Sequence, residues 1–293
     1  MAGQNGYRLI DSGFFYKLEQ VGPYRLVRPS PQAVWRPRLA SKEWDKHDAK
    51  FTRHAGGQGK WKLGHKKMQD GWEIEQYGLK FSVYPTDFGH LGLFPEHLEK
   101  FSKLTSLLSK DLGRKPKILN LFAYTGAATL AFLKAGAQVD HVDASKTSVA
   151  LARKNLELNE LQDAPVRWIV EDVRKFVQRQ KRREVFYDGI LLDPPSFGRG
   201  GKGEVWKIER DLNDLLDLLA SMLSDEYAFL FLTSHSHGYS PAALSNLLAP
   251  FAGAADKAGS LRQGEMLLPE KDGRAMPSGA YALLKGPGAC DDF

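Results

Sequence analysis

The sequence predicts an α/β protein: a doubly wound, mostly parallel sheet whose last strand is antiparallel, preceded by a smaller, basic, β-rich domain. Three observations carry that prediction. From Lys117 onward, short apolar runs alternate with amphipathic or alanine- and leucine-rich stretches, the pattern of repeated βα units. Four of those runs end in a small or acidic group, at Ala123–Gly126, Asp143, Asp172 and Asp193. The first 67 residues hold 14 Lys and Arg against 5 Asp and Glu, a net +9, whereas the remainder sums to −3.

Residues 1–30 are aromatic and irregular, with Phe14-Phe15-Tyr16 and Tyr24-Arg25-Leu26-Val27-Arg28 as short strand candidates that stop at Pro29-Ser30-Pro31. Residues 41–62 read as polar, with Gly56-Gly57-Gln58-Gly59-Lys60 as a loop. Trp72, Ile74 and Gln76, then Leu79, Phe81 and Val83, alternate around Tyr77-Gly78 and predict a hairpin. The segment Phe88-Gly89-His90-Leu91-Gly92-Leu93-Phe94-Pro95-Glu96-His97 reads either as an interdomain linker or as a hinge over a ligand. It leads into a helix with Leu98, Phe101, Leu104, Leu107 and Leu108 on one face, and Pro95 suits the first turn. The domain boundary is expected near residue 95, giving a basic, aromatic-rich cap over 1–95 and a catalytic domain over 96–293.

The second domain opens on Lys117-Ile118-Leu119-Asn120-Leu121-Phe122-Ala123-Tyr124-Thr125-Gly126-Ala127-Ala128-Thr129, a strand, a small-residue turn and an alanine-rich helix to Ala135, stopped at Gly136. Val139–Asp143 is a second strand, and Ser145 caps a helix from Lys146 to Leu158. Val166–Val170 leads through Glu171-Asp172-Val173 to a short helix ending in Lys181-Arg182-Arg183. Tyr187–Leu192 runs into Asp193-Pro194-Pro195-Ser196-Phe197, then Gly198–Gly203 as a mobile basic loop and a leucine-rich helix from about Val205 to Leu223. Tyr227–Thr233 is a fifth strand and Pro241–Ala252 a helix. Leu261–Leu268 and Ala280–Lys285 close the chain as a hairpin around Lys271-Asp272-Gly273-Arg274.

Composition limits the function classes. With 42% hydrophobic and 26% charged residues the chain is of globular type, and no apolar run reaches the roughly 18 residues of a membrane helix. No basic segment followed by an apolar core opens the chain, so no secretory signal is expected. The single cysteine, Cys290, excludes an intrachain disulfide framework and a cysteine zinc cluster, and the cytoplasm is the expected compartment. Four of the six tryptophans, Trp35, Trp44, Trp61 and Trp72, fall in the basic N-terminal part. Such a composition suits a nucleic-acid-facing surface, and equally a small β domain with a tryptophan core and solvated lysines.

Ligands of an open α/β sheet bind at the carboxyl ends of its strands. The first turn has one glycine, Gly126, where a dinucleotide fingerprint needs three, so it suits S-adenosylmethionine, with an amino acid in place of a pyrophosphate, better than a dinucleotide. Taken alone, it is also compatible with a generic buried strand–helix unit. Asp143, 20 residues after Ala123, can accept from two ribose hydroxyls; Asp172 can accept from an adenine amino group, with the Val173 N–H donating to a ring nitrogen. In Asp193-Pro194-Pro195-Ser196-Phe197 the prolines remove two N–H donors. An Asp carboxylate and a proline carbonyl can then accept both hydrogens of an exocyclic amine, while an aromatic ring stacks on a flat base. A rigid strand-to-loop turn would use the same residues. His235 can orient or deprotonate such an acceptor, or be held in place by hydrogen bonds.

On Asn120–Gly126, Val142-Asp143-Ala144-Ser145, Asp172-Val173, Asp193–Phe197 and Gly89–Phe94, the chain resembles the class I, Rossmann-like methyltransferases similar to bacterial large-subunit ribosomal RNA methyltransferases I and K. The resemblance spans roughly residues 75–290. It implies S-adenosylmethionine, leaving as S-adenosylhomocysteine, with no metal. The cofactor would be held by Phe122, Ala123, Tyr124, Thr125, Gly126, Asp143, Ala144, Ser145, Asp172, Val173 and Asp193, with Gly92 and Phe94 from the glycine–aromatic segment. It places Asp193 and Pro194 beside the transferred methyl, with Pro195, Phe197 and His235 as further catalytic candidates. Relatives that methylate carbon 5 of cytosine use a cysteine after the fifth strand; here Thr233-Ser234-His235-Ser236-His237 stands there, which points to a nitrogen acceptor. The N-terminal part does not resemble the RNA-binding appendage of those relatives.

The expected activity is therefore methylation of a base nitrogen of RNA, ribosomal RNA on the strength of the resemblance. The alternatives are the same chemistry on a small molecule or protein side chain, a non-catalytic RNA-binding protein, and a nicotinamide dehydrogenase. The last is disfavoured by the missing glycines and by the lack of an obvious proton-transfer pair.

Overall fold

The computed structural model describes residues 5–54, 58–108, 113–201, 203–252, 259–271, 273–290 and 293. Gly56 and Gly57 of the loop expected at 56–60, and Lys202 and Asp272 of two expected turns, lie outside these. The chain divides into two units, Met1–Glu99 with Leu267–Ser278, and Lys100–Met266 with Gly279–Phe293.

The first unit contains β1 (Tyr7–Gly13), β2 (Tyr16–Val21), β3 (Tyr24–Pro29), a short helix α1 (Ser41–Trp44), β4 (Ala49–Arg53), β5 (Gly59–Leu63), β6 (Trp72–Gln76) and β7 (Leu79–Val83). The first five strands form one sheet in sequence order, antiparallel except for β3 against β4, and β6–β7 is a separate hairpin. Leu9, Leu18, Leu26, Ala49 and Phe51 fill its interior. Arg28 donates to both oxygens of the buried Glu19 and to the Gly89 carbonyl, so the interior charge is paired on each side. Two expectations are corrected here. Phe14 and Phe15 are not strand residues but the turn between β1 and β2, because Gly13 pairs with Tyr16. The polar stretch 41–62 holds a helix and two strands. Buried Phe51 and half-buried Trp61 and Leu63 form an inward face that the alternating lysines mask in the sequence.

The second unit begins within α2 (Leu98–Ser106) and continues through β8 (Lys117–Leu121), α3 (Ala127–Lys134), β9 (Gln138–Asp143), α4 (Lys146–Leu158), β10 (Val166–Val170), α5 (Val173–Arg182) and β11 (Gly189–Leu192). It then runs through β12 (Phe197–Arg199), β13 (Val205–Lys207), α6 (Ile208–Ala220), β14 (Phe229–Ser234), α7 (Pro241–Ala252), β15 (Ser260–Pro269) and β16 (Ala275–Lys285). The sheet order is β10-β9-β8-β11-β14-β16-β15. The first five of these strands run parallel, and β16 runs antiparallel to β14. Strand order reverses between β8 and β11, which makes their carboxyl ends the switch point. At the opposite ends, Asp188 accepts from Arg114, from the Lys117 N–H and from Ser224. The chain turns into β11 there, and a Cβ on Gly189 would lie 2.6 Å from the Phe229 ring.

The helix expected from Val205 starts later, at Ile208, because Val205–Lys207 pairs with Phe197–Arg199. The stretch expected as a loop after Phe197 thus begins as a strand, the Gly200 N–H donates to the Glu204 carbonyl, and Lys175 pairs with Glu204 at 2.6 Å.

Candidate active site

The turn after β8 is strained: Phe122, Tyr124 and Gly126 all have positive φ, at 53°, 48° and 85°. A side chain in that region is disfavoured, so surrounding bonds must hold it. The Ala123 N–H donates to the Val142 carbonyl (3.1 Å) and the Gly126 N–H to the Ala123 carbonyl (3.0 Å). Asn155 Nδ2 donates to the Thr125 carbonyl (3.0 Å). Asp143, ending β9, accepts the Tyr124 N–H on Oδ2 (2.8 Å) and the Ser145 N–H on Oδ1 (2.7 Å). One carboxylate thus ties the first turn to the second. Burial pushes its pKa up, against the pull of those two N–H groups. Gly126 caps α3, and both its φ of 85° and a Cβ that would lie 3.0 Å from the Ala152 Cβ favour glycine there. Ser145 caps α4 through the Ser148 N–H.

A buried polar chain lies behind the turn. Asn120 Nδ2 donates to Thr129 Oγ1, which lies 2.9 Å from His141 Nδ1. The hydroxyl, already an acceptor, donates to Nδ1, leaving the proton on Nε2, which has no partner among the described residues. Burial, reinforced by Arg153, lowers the His141 pKa to about 3. An imidazole neutral when folded and protonated near pH 6.5 when unfolded costs stability as pH falls. Its contribution is full above pH 6.5 and lost progressively towards pH 3. His141→Gln should flatten that part of the stability profile, measured by denaturant titration across pH.

The arrangement has the donor and acceptor set of an adenosyl cofactor. Each Asp143 oxygen accepts one N–H and keeps a lone pair for a hydroxyl, and the half-buried carboxylate is open to a ligand. Asp172 is engaged by its own helix: it caps α5 through the Arg174 and Lys175 N–H groups, and Arg174 Nη2 lies 3.3 Å from Oδ2. An adenine amino group would share that carboxylate with them. Val173, the first residue of α5, is buried.

Asp193 follows β11 directly. Thr233 Oγ1, on the neighbouring β14, donates to its Oδ1 (2.7 Å), and His235 Nε2 lies 3.9 Å from Oδ2. Pro194 is buried and Pro195 exposed. The Pro195 carbonyl accepts the Trp206 indole N–H (2.7 Å). Trp206 packs at 4.9 Å on Phe122, linking the Asp193 loop to the first turn. Phe197 is half exposed, with the Arg199 guanidinium 5.7 Å above its ring. Gly92 (φ 77°) and Phe94, whose ring lies 5.2 Å from that of His90, belong to the first unit.

Sequence reasoning missed Asn155, Trp206 and Thr233. The signal for Thr233 was present: it is a hydroxyl ending a buried strand, two residues before His235. Thr233→Val strips an oxygen of Asp193 of its donor. It should lower turnover about tenfold or more, while Thr233→Ser should restore it; single-turnover kinetics of the two variants check this.

A family model described as S-adenosylmethionine-dependent methyltransferase matches residues 48–230. Among curated proteins, ribosomal RNA large subunit methyltransferase K/L of Syntrophotalea carbinolica is 33% identical over 162 residues, 55% of this chain and 22% of that protein. The protein of the same name from Shewanella frigidimarina is 32% identical over 159 residues, 54% of this chain and 21% of its own length. The chain thus spans about a fifth of the length of these relatives. The crystal structure of a SAM-dependent methyltransferase from Agrobacterium tumefaciens is similar over 97% of this chain and 92% of its own, with a TM-score of 0.90 and 39% identity. A putative methyltransferase complexed with SAH shares the fold, with a TM-score of 0.70 at 20% identity over 92% of this chain and 71% of its own.

Proposed function

Since the chain belongs to the S-adenosylmethionine-dependent methyltransferases, we propose that it methylates a base nitrogen of RNA, with Asp193 positioning the acceptor. The observation that carries this reading is the Asp193 carboxylate, fixed by Thr233 through one oxygen at the end of β11, with His235 beside the other. When bound, the cofactor supplies a methyl group on a positively charged sulfur.

Tyr124, Thr125, Gly126, Asp143, Ala144 and Ser145 hold the adenosyl and amino-acid parts, and Asp143 takes the ribose hydroxyls. Asp193 and the Pro194 carbonyl accept the two amine hydrogens, which aims the nitrogen lone pair at the methyl group. Phe197 stacks on the base. Such positioning, together with exclusion of water, supplies most of the acceleration of an in-line displacement. The proton that the methylated nitrogen releases goes to the Asp193 carboxylate that already accepts it, and from there to His235, whose Nε2 lies 3.9 Å from Oδ2. The names of the K/L relatives support ribosomal RNA as the substrate class. No described helix is long and apolar enough to cross a membrane, and the cytoplasm is the proposed compartment.

A nitrogen acceptor needs no covalent enzyme intermediate. Cys290 is exposed, and its backbone N–H donates to Leu107. Cys290→Ser should leave methyl transfer unchanged within about twofold, whereas a covalent route through this thiol would lose essentially all activity. Nuclease digestion of methylated RNA tests the acceptor directly: the reading requires an N-methyl nucleoside, and a C-methyl nucleoside contradicts it.

A further inference from the structure

Three hairpins of the first unit turn on two residues. β2–β3 uses Gly22-Pro23, with φ of 57° at Gly22, and β6–β7 uses Tyr77-Gly78, with φ of 50° and 69°, so each has a glycine at a left-handed position and the second sets one aromatic residue beside it. β1–β2 uses Phe14 and Phe15, with φ of 51° and 67°. Two consecutive left-handed residues make the turn that favours Asn-Gly, and aromatic side chains are among the poorer choices for it. Both rings nevertheless point outward, 59% and 56% exposed.

The backbone, not the rings, secures this turn. The Phe14 N–H donates to the Trp35 carbonyl and the Phe15 N–H to the Ala33 carbonyl, both at 2.8 Å, and the Phe15 carbonyl accepts the Ser30 N–H. The four tryptophans of the unit are placed differently. Each is half-buried and donates its indole N–H inside the unit, to Ser12, Asp11, Thr86 and Val21 respectively. They are structural, and the exposed aromatic residues of the unit are Phe14 and Phe15, side by side on one turn, with Tyr77 and Phe88 elsewhere in the chain.

Basic residues flank the segments that hold the turn. Exposed Arg36 follows the Trp35 whose carbonyl holds Phe14. The Lys50 ammonium lies 5.3 Å over the ring of Tyr16, the residue after the turn, and Lys50 stands opposite Lys62 in the β4–β5 ladder. A like-charge pair across a ladder is unfavourable without a counter-charge. Outward aromatic rings on a turn whose flanking segments carry these cations match the stacking-plus-phosphate chemistry of single-stranded nucleic acid.

We propose that the Phe14-Phe15 turn is a stacking site for unpaired nucleotides of RNA. It rests on the RNA reading above and adds the surface that holds the strand.

The test is Phe14→Asn combined with Phe15→Gly in the full chain, which keeps both N–H donors and installs the residues the turn favours. The melting temperature should rise by about 2–4 °C. The dissociation constant for a single-stranded oligoribonucleotide should increase at least about fivefold. Fluorescence quenching of an aminopurine base in that oligonucleotide should be lost with it. Phe14→Tyr with Phe15→Tyr should retain affinity. Unchanged affinity in the Asn-Gly variant, affinity lost together with thermal stability, or a change of oligomeric state in its place would each overturn the proposal. Methyl transfer measured on the same samples separates the two readings. RNA methylated by the Asn-Gly variant with unchanged KM overturns the stacking site alone. RNA bound through the turn but never methylated overturns the acceptor assignment alone.

Discussion

Replacing Asp193 by alanine is expected to lower methyl-transfer turnover by about 10²–10⁴-fold while leaving cofactor affinity within about twofold. The expectation follows from what holds the side chain. Thr233 anchors one oxygen at 2.7 Å and His235 stands 3.9 Å from the other, so the carboxylate occupies a defined place at the ends of two adjacent strands. Asp193→Asn retains an acceptor for Thr233 but turns an N–H₂ towards an amine that itself needs acceptors, so it should be nearly as damaging. Stopped-flow turnover and calorimetric cofactor binding on the same preparations read the split. Equal losses in both would mean that Asp193 shapes the cofactor pocket and does not orient the acceptor.

Replacing Asp143 by alanine is expected to have the opposite signature, weakening cofactor binding by about 1–3 kcal/mol, roughly 5–150-fold. Besides the ribose contact proposed for it, this carboxylate holds the Tyr124 and Ser145 N–H groups and so keeps the left-handed turn at Phe122–Gly126 in place. The wild-type pH dependence reads the same group. Protonation removes the acceptor, so affinity is full above the Asp143 pKa and declines as pH falls through it. Burial raises that pKa, so the decline begins at higher pH than for a carboxylate at its ordinary value of 3.8. Calorimetry across pH should show this shift in the wild type and lose it in Asp143→Asn.

The parallel sheet was legible because its strands are short, largely apolar runs buried on both faces, as at Ile190–Leu192 and Phe229–Leu232. Caps at Ser145 and the alternation from Trp72 to Val83 carried their elements equally well. The β12–β13 hairpin was not legible. Its strands have three residues each, lie among glycines and depend on Trp206 reaching back to Pro195, a long-range bond with no local signature. Strands β4 and β5 of the N-terminal sheet hid for a related reason: lysines alternate with the buried residues of β4 and the half-buried ones of β5, so the stretch averages to polar. At the candidate site, acids at strand ends stood out, but a carboxylate pattern does not say what occupies it. Asp172 spends its oxygens on its own helix and Asp143 ties two turns together, and only coordinates separate those situations.

The most direct test is methyl incorporation from labelled cofactor into total RNA of a strain lacking this protein, run beside protein and small-molecule extracts. The expected result is label in RNA that maps to one N-methylated base and disappears with Asp193→Ala. Label confined to protein or small molecules, with the cofactor bound normally, would contradict an RNA acceptor.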